Sequence, residues 1–269
     1  MDNTDPEALL AALAWQVELG VDAAVGDVPV DRYAARPPSE PITRQADAPR
    51  LDTPQQGRAP KQDDDQAQLV EQARQLAGRA ATLAELRSAM AGFDGCILKQ
   101  GARNLVFSDG HPAARLMIVG EAPGKDEDRE GKPFVGRSGQ LLDKMLAAIG
   151  RDRSDDSSNG GVYITNVLPW RPPANRDPGK DEMAMMKPFL LRHIALAAPD
   201  CLLLLGNAAM KTLYETDRGI TAMRGQWREV GGIAAIASFH PAALLRNGLH
   251  KRSAWQDLQM LKSRLDTYG

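Results

Sequence analysis

An apolar run, Leu116-Met117-Ile118-Val119, ends at Gly120 and opens into GEAPGKDEDREGKPFVGRSGQ, residues 120–140, which hold five glycines and two prolines. Glycine and proline at this density mark a loop whose backbone comes close to something else. An amphipathic pattern, Leu141, Leu142, Met145, Leu146 and Ile149, then leaves the loop at helical spacing. A buried strand, a glycine-rich polar loop and a helix make the ligand-binding corner of an open α/β sheet. The loop also carries Glu121, Asp126, Glu127, Asp128 and Glu130, with Phe134 among them. Such acidity suits a neutral ligand that needs general-base chemistry better than a triphosphate. Gly124-Lys125 is followed by Asp126 rather than Ser or Thr, which argues against a nucleotide-dependent phosphotransferase.

The remainder of the chain repeats the strand–helix alternation. Apolar β-rich runs fall at 115–119, 162–167, 201–205 and 233–238, with helical patterns at 139–149, 181–197 and 207–214 between them. A last helix, 253–265, starts on a Ser in N-cap position and puts Trp255, Leu258, Leu261 and Leu265 on one face. This pattern predicts an α/β fold, a three-layer α/β/α sandwich around a four-stranded, mostly parallel sheet. Ligands then sit beyond the C-terminal strand ends, where the loops are 120–140, 166–178, 206–207 and 239–252.

Ahead of that core, residues 1–27 read as a helix and 28–65 as a disordered linker rich in Pro, Asp, Gln and Arg. A second helix is expected from Asp65 to about Ala91, opening a domain of 66–269 whose core is 92–269. Residues 1–94 carry 9 Lys and Arg against 16 Asp and Glu, or −7, while 95–269 carry 24 against 19, or +5. An acidic arm and a mildly basic body permit nucleic-acid binding by the body. No run is long enough to span a membrane and the first residues lack signal-peptide features, so the expected compartment is the cytoplasm. The two cysteines, Cys96 and Cys201, offer neither a disulfide framework nor metal-site spacing.

The second edge loop, 165–176, places Asn166 at a strand end. Its side chain offers an acceptor and two donors in one plane, the requirement for reading a base edge, although an Asn also closes turns through its own backbone. Arg171 and Arg176 follow, either to meet phosphates or to stay solvated. In the fourth loop His240 precedes Pro241, which holds it extended and aimed at the ligand edge. An imidazole there can stabilise a developing oxyanion or move a proton. Leu244 and Leu245 are either wedges between base pairs or plugs beneath the last helix. Arg246, Lys251 and Arg252 form the densest basic cluster of the body and suit phosphate contacts. Phe134 either stacks on a planar base or fills an apolar hole. His111 and His193 lie outside these loops and are read as structural.

Taken in order, GEAPG with GKPFVGRSG, TNVLPWRPPANR, LLLLG and FHPAALLR resemble a family 4 uracil-DNA glycosylase over about 92–269. The resemblance implies hydrolysis of the N-glycosidic bond of uracil in DNA by base flipping, leaving an abasic site and free uracil. It also implies roles. Phe134 stacks on the flipped uracil, Asn166 bonds its Watson–Crick edge, and Ala122 lines the pocket. His240 stabilises charge on uracil O2, while Glu121, with Glu127 or Asp128, orients water or supports the sugar cation. Leu244 fills the gap in the duplex, and Arg171, Arg176, Arg246, Lys251 and Arg252 face the DNA. Family 4 members hold an iron–sulfur cluster on four cysteines. Here the corresponding positions read Phe93, Cys96, Trp170 and about Met186, so the expectation is a member with no cofactor and no metal, packed by apolar side chains instead.

The expectation is a monomer that meets uracil-containing DNA at the nucleoid and, lacking a long apolar run, binds no membrane. The acidic arm is expected to dock a repair or replication protein, fold back, or act as a tether. A second hypothesis is a non-catalytic module that recognises uracil or abasic sites. It is motivated by Ala122-Pro123, which stand where other glycosylase families carry a water-activating Asp.

Overall fold

The order of the strands follows from where the chain is apolar on both faces. The computed structural model describes residues 60–268, so the expected helix at 1–27 and most of the 28–65 linker lie outside the described residues. Strands β2 (Leu116–Gly120), β3 (Tyr163–Asn166), β4 (Cys201–Leu205) and β6 (Ile233–Ser238) form the parallel centre. Continuous apolar runs of this kind belong to strands covered on both sides. The short β1 (Asp109–Gly110) and β5 (Trp227–Val230) add antiparallel edges, giving six strands in the order β1-β3-β2-β4-β6-β5 rather than four. Two residues of β1 and the mostly exposed β5 carry too little apolar pattern to be seen in advance.

Side-chain alternation with period two divides the core between the two faces. Met117, Val119, Leu202, Leu204, Ala235 and Ala237 point to a cluster with α1 (Pro60–Arg79), α2 (Leu83–Gly92), α5 (Lys180–Ala197) and α6 (Gly206–Tyr214). Leu116, Ile118, Ile164, Leu203 and Ile236 meet Leu142 and Leu146 of α4 (Arg137–Ala147) and Leu258, Leu261 and Leu265 of α8 (Lys251–Asp266). The three-layer architecture is therefore as the alternation predicts.

Three boundaries differ from the sequence expectation. The helix expected from Asp65 to about Ala91 is two, because Thr82 starts a new one: its hydroxyl accepts from Glu85 N at 3.2 Å while the Glu85 carboxylate accepts from Ala81 N at 2.7 Å. Helix α1 begins at Pro60, inside the segment read as linker. Helix α8 begins at Lys251, not Ser253, and Trp255 is 42 % exposed instead of sharing the buried face of Leu258 and Leu261.

Parallel strands put all their C-terminal ends at one edge. Gly120 of β2 lies beside Asn166 of β3, and Leu205 of β4 beside Ser238 of β6. The loops leaving these four positions converge there.

Candidate active site

Loop 120–140 is not irregular throughout. Its middle is a short helix, α3 (Lys125–Glu130), closed by Gly131 in the left-handed region at φ 72°. Glu127 is what holds the loop together. One carboxylate oxygen accepts from Gly124 N at 3.1 Å, and the other from Val135 N at 3.0 Å and Gly136 N at 2.9 Å. The two ends of the loop are thereby clamped to one side chain.

Between them Phe134 adopts φ 54°, a conformation that costs a non-glycine residue roughly 1–2 kcal/mol and persists only where the surroundings enforce it. Gly139 permits the fold-back, because a Cβ there would run into the Phe134 carbonyl. Gly120 does the same for the side chains: a Cβ would meet the Asn166 amide oxygen and lie 2.5 Å from the Phe134 ring. Two bare glycines thus allow an aromatic ring and an amide to come together over the end of β2.

Asn166 is buried, and its Oδ1 has no hydrogen-bond partner among the described residues. A buried acceptor left unpaired costs about 1–3 kcal/mol and marks a place where a ligand donor belongs. The turn-closing alternative for Asn166 has no hydrogen bond to support it.

His240 caps α7 (Pro241–Arg246), with Nδ1 accepting from Ala242 N at 3.2 Å. An accepting Nδ1 places the proton of the neutral ring on Nε2. Burial, and then the charge of Arg246, pushes the imidazole pKa down to about 4. At neutral pH His240 is therefore an uncharged donor. Its ring stacks on Phe134 with centroids 5.4 Å apart.

Glu121 lines the same cavity, half-buried, with no side-chain hydrogen bond or ion pair among the described residues. Burial, with Asp177 nearby, raises its pKa, and Arg246 opposes this. The cavity encloses about 290 Å³ and is walled by Glu121, Ala122, Glu127, Phe134, Asn166, His240 and Arg246. Ser138, Pro172 and Asn175 also line it and were missed from the sequence. Ser138 lies one turn after Phe134 in GRSG. Asn175 follows PP with φ 53°, and both are signals of a shaped loop more than of a role.

Several expected residues stand elsewhere. Asp128 points away from the cavity and accepts from Arg103 N at 2.8 Å and Asn104 N at 3.2 Å, so it anchors a neighbouring loop rather than water. Glu127 borders the cavity, but three backbone donors engage its two oxygens, which commits the carboxylate to holding the loop. Leu244 is 2 % exposed and packed in the core, whereas Leu245 is 44 % and Leu249 86 % exposed. The first leucine is a plug, because its place on α7 turns it inward. Arg176 does line the cavity, but its guanidinium is held in a two-pronged pair with Glu182, at 2.5 and 2.9 Å, which holds the carboxyl below its usual range. Arg171 donates to Asn175 Oδ1 at 2.8 Å. Arg246, Lys251 and Arg252 are exposed and have no carboxylate partner among the described residues.

The four positions compared with an iron–sulfur ligand set, Phe93, Cys96, Trp170 and Met186, are all buried in one apolar cluster. Cys201 lies in the cluster on the opposite face of the sheet. Burial raises the Cys96 pKa, so its thiol is protonated at neutral pH. One thiol with a thioether, an indole and a phenyl ring does not fit a cluster that requires four thiolate or imidazole ligands. Among the described residues no group of three or more His, Cys, Asp and Glu is placed to hold a metal ion.

The sequence model of the uracil DNA glycosylase superfamily matches residues 107–259. A type-4 uracil-DNA glycosylase of Thermotoga maritima is 38 % identical over 180 residues, covering 65 % of this chain and 90 % of the relative. One from Sulfurisphaera tokodaii is 38 % identical over 176 residues, 62 % of this chain and 77 % of its own. A third, from Archaeoglobus fulgidus, is 40 % identical over 158 residues, 56 % and 76 %.

Proposed function

The chain belongs to the uracil DNA glycosylase superfamily, and from that premise we propose that it is a monofunctional DNA-repair glycosylase that removes uracil from DNA without an iron–sulfur cluster. The observation that carries the reading is the unpartnered, buried Asn166 amide oxygen set against Phe134 in a cavity that also holds a neutral His240.

A uracil inside a duplex hides its glycosidic bond, so the base must be swung out, at an unstacking cost of a few kcal/mol. Phe134 offsets part of that cost by stacking. Asn166 Oδ1 accepts the uracil N3–H, and its amide nitrogen donates to O4. Cytosine presents the reverse pattern at those two positions, an acceptor and a donor, so the amide discriminates between them.

As the C1′–N1 bond breaks, its electron pair passes into the ring and collects on O2. The Nε2–H of His240 donates to that oxygen. A neutral donor suffices, and preorganised donors of this kind are worth roughly 10²–10³ in rate each. The sugar left behind is an oxocarbenium-like cation. Glu121, the carboxylate with no partner, stabilises it and orients the water that attacks C1′. The water proton leaves to solvent or to the departing uracil anion, giving an abasic site and free uracil. Arg246, Lys251 and Arg252 grip phosphates, with Arg171 doing so from the loop that carries Asn175 on the cavity wall. The gap-filling role passes from Leu244 to Leu249, held on its turn by Asn247 Oδ1, which accepts from Leu249 N at 3.1 Å.

The test is release of free uracil from a uracil-containing oligonucleotide by purified protein whose iron content is measured alongside. Expected are activity with no iron, and a loss of about 10²–10³ in Asn166→Ala and His240→Ala. Tight binding of uracil or abasic DNA with no release at high protein concentration would replace the enzyme by the non-catalytic module. About four irons per chain with absorption near 400 nm would overturn the cluster-free reading.

A further inference from the structure

Helix α7 has two useful sides. Ala242 and Arg246, four residues apart and so on one face, line the uracil cavity. Leu244, half a turn round, forms the floor of a separate groove between α4 and α8. That groove has a volume of about 260 Å³ and is walled by Met145, Trp255 and Leu258 as well as Leu244. Lys144 and Lys251 border it, and neither has a carboxylate partner among the described residues.

The composition of the groove narrows what it can take. Trp255 leaves 42 % of its surface open, although α8 has a buried face one turn away that could have received it. Trp227, by contrast, is covered by the Arg264 guanidinium at 5.3 Å. An exposed indole above aliphatic side chains, flanked by two unpaired ammonium groups, matches a planar apolar body with an anionic flank. A nucleotide has both. Among the described residues, the 241–252 segment sends one unpaired cation, Arg246, to the cavity wall and another, Lys251, to the groove, so both sites can meet the phosphates of one strand.

A helix is roughly 10 Å across with side chains, so a cavity and a groove on two sides of α7 lie within a few nucleotides of each other along one strand. A base can reach the indole face only if it is unpaired.

We propose that this groove is a second nucleotide subsite, which takes an unpaired base a few positions from the flipped uracil, with Trp255 stacking on it and Lys144 and Lys251 holding its phosphates. The inference rests on the glycosylase reading for the position of the strand. It assigns the protein a preference for single-stranded or locally melted DNA, since an intact duplex leaves the groove empty.

The experiment measures binding of fluorescein-labelled oligothymidylate, which contains no uracil and is not cut, against a fully paired duplex of the same length. Trp255→Ala should weaken binding to the single strand by about 5- to 150-fold, the range for loss of one base–aromatic stack, and change duplex binding by less than twofold. The double variant Lys144→Ala with Lys251→Ala should reduce the salt slope on the single strand by about 1.4. Intrinsic tryptophan emission should be quenched by oligothymidylate in the wild type, and markedly less in Trp255→Phe. Equal effects on the two DNAs, or none, in variants with wild-type melting would refute the subsite. A change in sedimentation of the DNA-free protein on Trp255→Ala would refute it too, by assigning the groove to a second copy of the chain. The uracil-release assay on wild type reports separately: its failure removes the glycosylase reading and leaves the binding result to stand alone.

Discussion

Glu127 separates a structural from a chemical role for a carboxylate at the cavity edge, and Glu127→Gln is the perturbation that does so with least change of shape. The glutamine oxygen can still accept from Val135 N and Gly136 N, but as a neutral acceptor, at about half the strength. Its NH₂ then faces Gly124 N, donor against donor, and that bond is lost. Bonds to a charged partner are worth about 1.5–3 kcal/mol. Two halved and one removed, with water reaching the half-buried donors, come to about 3 kcal/mol. For a domain of this size that lowers Tm by about 6–12 °C. Because the clamp also holds Phe134 at φ 54°, the loop should relax when it is weakened. Uracil affinity and turnover should then decline together, and Glu127→Ala should be worse on every measure. Calorimetry or circular-dichroism melting gives the first number, and uracil release under saturating and limiting DNA gives the second. A Gln variant with unchanged Tm and unchanged affinity but turnover reduced a thousandfold would refute the clamp and return Glu127 to acid–base chemistry.

Other consequences can be checked directly. Gly139→Ala sets a methyl group against the Phe134 carbonyl, so it should abolish uracil release while most of the far-UV circular dichroism remains. His193 is buried, with Nε2 at 2.9 Å from the Tyr163 hydroxyl, and burial lowers its pKa to about 3 from 6.5. The unfolded chain takes up that proton first, so stability is full above pH 6.5 and falls as the pH drops towards 3, by up to about 5 kcal/mol. Denaturant midpoints measured across that window should flatten in His193→Gln. The proposed chemistry needs Glu121 ionised and His240 neutral, and both conditions fail as pH falls. Turnover should therefore have an acid limb set first by the raised Glu121 pKa, and Glu121→Gln should leave a slower enzyme whose remaining limb lies near pH 4.

The parallel centre of the sheet and the edge that holds the cavity were legible from residue order alone. Four apolar runs, each feeding a loop rich in Gly, Pro or polar residues, leave few arrangements other than a doubly covered sheet. Phe134, Asn166 and His240 were legible for the same reason: each stands directly beyond such a run or inside the glycine loop, and period-two strands deliver their ends to one edge. Tertiary contacts left Asn166 Oδ1 without a partner among the described residues and set the His240 ring against Phe134, while Phe134 itself is 5 % exposed and also packs in the apolar cluster beneath the loop, as its hole-filling alternative expected.

What sequence position could not convey was which way a side chain turns once its backbone is placed. Glu127 and Asp128 are neighbours of like chemistry, yet one clamps a loop around the cavity and the other anchors residues 103–104. Leu244 and Leu249 are the same residue in the same basic segment, one in the core and one in solvent. Arg176 and Arg246 both reach the cavity, but only Arg176 finds a buried carboxylate, in Glu182. Periodicity reports burial averaged over a helix or strand, whereas these roles depend on single contacts between residues far apart in the chain. Residue order therefore determined the parallel centre of the sheet, its loaded edge and most of the chemical inventory there. Packing alone decided which carboxylate stays free, which leucine faces out, and that Trp255 opens a groove beside the cavity.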